Sequence, residues 1–90
     1  MMLTKEYKKT LTAKAHQLKP VILIGAQGLT QAVHDEIEVQ LQKHSLIKVK
    51  VHIRDKEIYK PMLSQIAEVH KACMVSTIGR TVVIYRESED

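Results

Sequence analysis

Between Leu46 and Arg54 the hydrophobicity alternates with a period of two. Ile47, Val49, Val51 and Ile53 fall on one side, and Lys48, Lys50, His52 and Arg54 on the other. Side chains of a strand point to opposite faces in turn, so this stretch predicts a half-buried strand whose polar side is wholly basic or histidine. Helical periods flank it. Upstream, Leu29, Val33, Ile37 and Leu41 recur every four residues and predict a helix from about Thr30 to Lys43. Downstream, Ile58, Met62, Ile66, Val69 and Cys73 predict another. A change of period twice within 90 residues restricts the chain to a mixed α/β domain.

The remaining elements complete the order. Leu3, Tyr7, Leu11, Ala15 and Leu18 form the stripe of a first amphipathic helix with Thr4 as its N-cap. Lys19-Pro20 ends it, because a residue before proline is displaced from helical geometry. Val21 to Ile24 is continuously apolar and β-branched, which predicts a central strand covered on both faces. Asp55 can cap the third helix early, which puts Pro61 inside it; a kinked helix or a late start near Pro61 is the favoured reading. Met74 to Ile78 and Thr81 to Tyr85 are β-rich runs joined by Gly79-Arg80, a loop suited to a type II′ hairpin. The predicted order is α-β-α-β-α-β-β. Two right-handed strand–helix–strand units and a closing hairpin give a compact four-stranded mixed sheet with three helices. Residues 1–86 make one domain, and the acidic tail 87–90 frays.

Composition then removes whole classes of function. A chain of this length holds one core, and with the single Cys73 that core cannot be stapled by a disulfide. Three tyrosines, no phenylalanine and no tryptophan cannot build the multi-aromatic platform of sheet-based RNA readers. The run Val21 to Ile24 is far too short to span a bilayer, and the N-terminal sequence shows no apolar signal region. With one cysteine, these features predict a cytoplasmic protein. The net charge of +4 is unevenly spread: +4 over residues 1–20, −2 over 21–45, +5 over 46–86 and −3 over the last four. Segregation of this kind predicts a basic face for an anionic partner.

Gly25-Ala26-Gln27-Gly28 joins the first strand to the second helix. Glycines let backbone amides approach a phosphate, and a helix N-terminus adds positive potential; a tight turn alone also explains them. The loop has neither the GK[ST] of a P-loop nor the third glycine of a dinucleotide fingerprint. The five histidines form no ligand set by spacing and are expected at surface or rim positions; Cys73 is expected to pack at the buried end of the third helix. No catalytic constellation, metal site, cofactor site or small-molecule substrate is expected.

Taken jointly, several stretches resemble the CRM domain (chloroplast RNA splicing and ribosome maturation). They are Leu18-Lys19-Pro20, then Val21 to Ile24 and Gly25 to Thr30, then Glu36-Ile37, Leu46 to Lys50, and Ile78 to Arg86. The resemblance covers about residues 3 to 86 and is similar to the stand-alone bacterial YhbY type. It implies a fold like the C-terminal domain of translation initiation factor three. It implies a non-enzymatic RNA-binding protein of ribosome assembly, associated with the large-subunit precursor through structured ribosomal RNA. Its loop carries over onto Gly25, Ala26, Gln27 and Gly28, and its basic positions onto Lys19, Lys48, Lys50, Arg80 and Arg86. The alternatives are a protein-interaction module on ribosomal particles and a small phosphate-handling enzyme.

Overall fold

A computed structural model of the chain describes residues 3–87. The elements follow as α1 (Lys5–Ala15), β1 (Ile22–Ile24), α2 (Gln31–His44), β2 (Leu46–Val51), α3 (Lys56–His70), β3 (Cys73–Ile78) and β4 (Thr81–Tyr85). The sheet order is β1-β2-β4-β3. β1 and β2 pair in parallel, and β4 lies antiparallel to both β2 and β3. The class and element order are those read from the sequence. Of the acidic tail, only Glu87 lies within the described residues, where it is exposed.

Alternation decides which side of the sheet each helix covers. Ile22, Ile24, Ile47, Val49, Val51, Val82 and Ile84 face α2 and α3, meeting Ile37 and Leu41 from one helix and Tyr59 and Ile66 from the other. On the opposite face Val75 and Val83 meet Leu11 and Ala15 of α1, with Leu3, Leu46 and Tyr85 at the margin. The rings of Tyr7 and Tyr85 meet edge-on, 5.7 Å apart and 87° inclined, and their hydroxyls share a 3.0 Å hydrogen bond. α1 thus docks over β3, β4 and the start of β2, and not over β1.

Four sequence expectations change. β1 is an edge strand, not a central one: Ile22 and Ile24 are buried, but Leu23 between them is 59% exposed. α1 does not extend across it, so an apolar run lies half open. α3 starts early, with Asp55 as N-cap accepting from the Glu57 amide at 2.9 Å, and Pro61 falls inside the helix. Proline leaves the Glu57 carbonyl without its helical donor, but both residues are exposed, at a position where a solvated carbonyl costs little.

The buried stripe of α3 is also rotated from the one read in the sequence. Tyr59, Ile66 and His70 are buried, while Ile58 and Val69 are more than half exposed. A buried histidine and a tyrosine occupy positions that hydrophobicity alone gave to aliphatic residues. Cys73 is not on the helix; it opens β3 opposite Tyr85 and is half-buried. In the hairpin, Gly79 has φ +59° while Arg80 stays outside the left-handed region, as a type II′ loop requires.

Candidate nucleic-acid interface

The loop after β1 begins where the sheet ends. The Gly28 amide donates to the Gly25 carbonyl at 3.0 Å, closing a turn with Ala26 and Gln27 exposed at its tip. Thr30 caps α2, its hydroxyl accepting from the Val33 amide at 3.2 Å. No acidic side chain lies in the first helical turn, so the positive end of the helix is not neutralised there.

The two glycines differ. Gly28 has φ +74°, a conformation that side chains resist, and a Cβ there would sit 3.8 Å from the Met62 methyl. Gly25 has no such φ, and a Cβ on it would meet nothing within 4 Å. The turn explains Gly28. Nothing inside the chain requires Gly25 to lack a side chain.

The sheet register gathers some of the basic residues beside this loop and not others. Leu23 pairs with Lys50, and the His52 amide donates to the Ile24 carbonyl at 2.8 Å, so the end of β2 adjoins Gly25. The Val51 amide donates to the Arg80 carbonyl at 2.8 Å, which brings the hairpin tip to the same end of the sheet. Lys48 shares the Lys50 face but is half-buried. Lys19 is exposed at the opposite end of β1.

Arg86 lies elsewhere. Its amide donates to the Ser45 carbonyl at 2.9 Å, at the start of β2, roughly 20 Å of strand from Arg80. Its guanidinium donates to Glu38 Oε1 at 2.7 Å and to the His70 carbonyl at 3.1 Å.

That guanidinium belongs to a network that sequence spacing missed. His70, 3% exposed, meets Glu38 Oε1 through Nδ1 at 2.8 Å and His34 Nδ1 through Nε2 at 2.9 Å. The five histidines were expected to form no set; two of them share a hydrogen bond. Their separation of 36 residues carries no periodic signal, because the packing of α2 on α3 makes the pair. Hydrogen bonds from Arg86 and then His70 hold the Glu38 carboxyl at about 2 against an ordinary 4.5. The network joins α2 to α3 and to the end of β4, and so orients the helix whose N-terminus backs the glycine loop. Among the described residues, no group of three His, Cys, Asp or Glu side chains is placed to hold a metal ion, and no helix is long and apolar enough to cross a membrane.

Residues 3–86 match the family model of the CRS1 / YhbY (CRM) domain. The chain belongs to the CRM family. An RNA-binding protein of Haemophilus influenzae is 43% identical over 88 residues, covering 98% of this chain and 89% of the relative. A Pseudomonas aeruginosa protein named a probable RNA-binding protein is 34% identical, over 98% of this chain and 85% of its own. Among solved structures, a Staphylococcus aureus protein described as a candidate RNA-binding protein superposes with a TM-score of 0.84 at 32% identity. That match covers 99% of this chain and 93% of the other. The CRM domain here is thus nearly the whole chain, and the relatives of matching length carry RNA-binding names.

Proposed function

We propose that this CRM protein binds structured ribosomal RNA in the large-subunit precursor, in the cytoplasm, and leaves the RNA chemically unchanged. A phosphate lies against the Gly25–Gly28 backbone at the start of α2, and Lys50, Arg80 and Lys48 neutralise its neighbours, with Lys19 farther along β1. Arg86 contributes by holding α2 in place through Glu38. The observation that carries this reading is Gly25, a glycine that the fold does not need, next to an unneutralised helix N-terminus and beside the cationic ends of β2 and the hairpin.

The test is a variant with Ala26→Asp and Gln27→Asp. Both side chains are exposed, so the fold tolerates the change, and acid near a helix N-terminus is favourable to it. Affinity for large-subunit ribosomal RNA should fall at least tenfold at fixed salt while the melting temperature holds or rises. Equal affinity for both proteins would take the loop out of the site. RNA incubated with the purified protein should stay intact; cleavage that follows the protein and is lost on Gly28 substitution would refute a binding role.

A further inference from the structure

α1 covers only part of its sheet face. Over β1 and the second half of β2 that face is open, and Leu23 and Val21 are 59% and 41% exposed. There the surface forms an open depression of about 400 Å³ lined by Pro20, Val21, Ile22, Leu23, Lys50 and His52. The strand register places Leu23 directly beside Lys50. The lining has an apolar floor, a wall made by the Lys50 cation and the His52 imidazole, and no acidic residue, and it runs along β1 until the chain turns into Gly25.

A ligand for this shelf must present a flat apolar surface and an anion close together, in continuity with the phosphate at the glycine loop. A nucleotide does so, but only when its base is unstacked: in a continuous duplex the base faces are covered by their neighbours. Aliphatic side chains offer a base a surface to lie on without reading its edges, so the contact selects unpaired over paired nucleotides, not one base over another. We propose that the shelf beside β1 receives an unpaired nucleotide of the bound RNA, its base on Leu23 and Val21 and its phosphate at Lys50 and His52. This rests on the RNA-binding reading above and adds to it the class of RNA: helices interrupted by a bulge or loop.

The experiment compares two RNA hairpins with the same stem, one fully paired and one carrying a single-nucleotide bulge of 2-aminopurine. Affinities are measured at one salt concentration for the wild type, for Leu23→Thr, and for the double aspartate loop variant. Threonine keeps strand propensity at an exposed edge position, and circular dichroism and thermal melting confirm that it folds. The wild type should prefer the bulged hairpin at least tenfold, with a change in 2-aminopurine fluorescence on binding. Leu23→Thr should lose most of that preference and keep its affinity for the paired hairpin. The loop variant should weaken binding to both.

Equal wild-type affinity for the two hairpins overturns the shelf proposal and leaves the loop reading intact. A loop variant that binds like wild type, with the bulge preference kept, overturns the loop reading and leaves the shelf. If Leu23→Thr leaves both RNA affinities unchanged yet lowers retention on purified ribosomal particles, the shelf contacts a protein and the proposal is wrong.

Discussion

Substituting alanine separately at the two loop glycines should move stability and binding in different patterns. At Gly25 the added methyl enters open space, and the backbone is not left-handed. Its main effect on folding is to restrict the unfolded chain, which stabilises by about 0.4–1 kcal/mol. At Gly28, φ of +74° costs an L-residue about 1–2 kcal/mol, which that same entropy gain offsets only in part. In a domain of this size 1 kcal/mol shifts the melting temperature by about 4–8 °C. Gly25→Ala should therefore melt a few degrees above wild type, and Gly28→Ala a few degrees below. Binding should not follow stability. A methyl at Gly25 stands between the backbone and an approaching phosphate, so Gly25→Ala should lose affinity for ribosomal RNA by at least tenfold, about 1.4 kcal/mol, despite its gain in stability. The assay is thermal unfolding together with a filter-binding or anisotropy titration at fixed salt. A Gly25→Ala protein that melts higher and binds as wild type would refute the claim that this glycine is kept bare for a ligand.

Single replacements of Lys50 and Arg80 by alanine should each flatten the plot of log affinity against log salt by about 0.7–0.9, the counterion release for one phosphate, whereas Lys43→Ala, an exposed change at the far end of α2, should leave it nearly unaltered; equal slopes for all three would mean that only net charge matters. The Glu38 carboxyl, lowered from 4.5 to about 2 by Arg86 and His70, stabilises the fold fully above pH 4.5 and loses that contribution as pH falls towards 2. The shift of about 2.5 units corresponds to about 3.4 kcal/mol. With the Glu38 side chain 40% exposed, screening reduces this to about 1–2 kcal/mol. In urea titrations the stability gap between wild type and Glu38→Gln should accordingly close across that pH range, and a gap independent of pH would exclude the carboxylate as its source. Lys71 ends α3 in the left-handed region with φ +52°. Lys71→Gly should raise stability by up to about 1 kcal/mol, measured by the same titrations, and a loss would show that the lysine side chain contributes more than its backbone strain costs.

Period and punctuation in the sequence were enough to specify every helix and strand in order, because each signal is local. The four-residue repeat of Leu29, Val33, Ile37 and Leu41 became α2 under its Thr30 cap, and the alternation after Leu46 became β2. The glycine loop was legible for the same reason: a strand, two glycines and a capped helix lie within ten residues. What failed was whatever depends on a distant neighbour. Hydropathy cannot say whether a β-branched run is covered on one side or two, and β1 is open because α1 packs over β3, β4 and the start of β2 instead. It cannot rank Ile58 against Tyr59 on α3, since either phase makes an amphipathic helix and the sheet chooses between them.

The basic residues show the same division. Sequence alone determined that positive charge gathers in α1 and the second half of the chain, and that a glycine turn precedes α2. The strand order β1-β2-β4-β3 then decided which charges meet that turn. It set Lys50 against the strand that leads into Gly25, put Arg80 one strand farther at the same end of the sheet, and sent Arg86 to the far end, where Glu38 holds it. Charge and period are properties of residues and their near neighbours, whereas proximity between an arginine and a loop some 50 residues apart exists only once parallel and antiparallel pairings have been made.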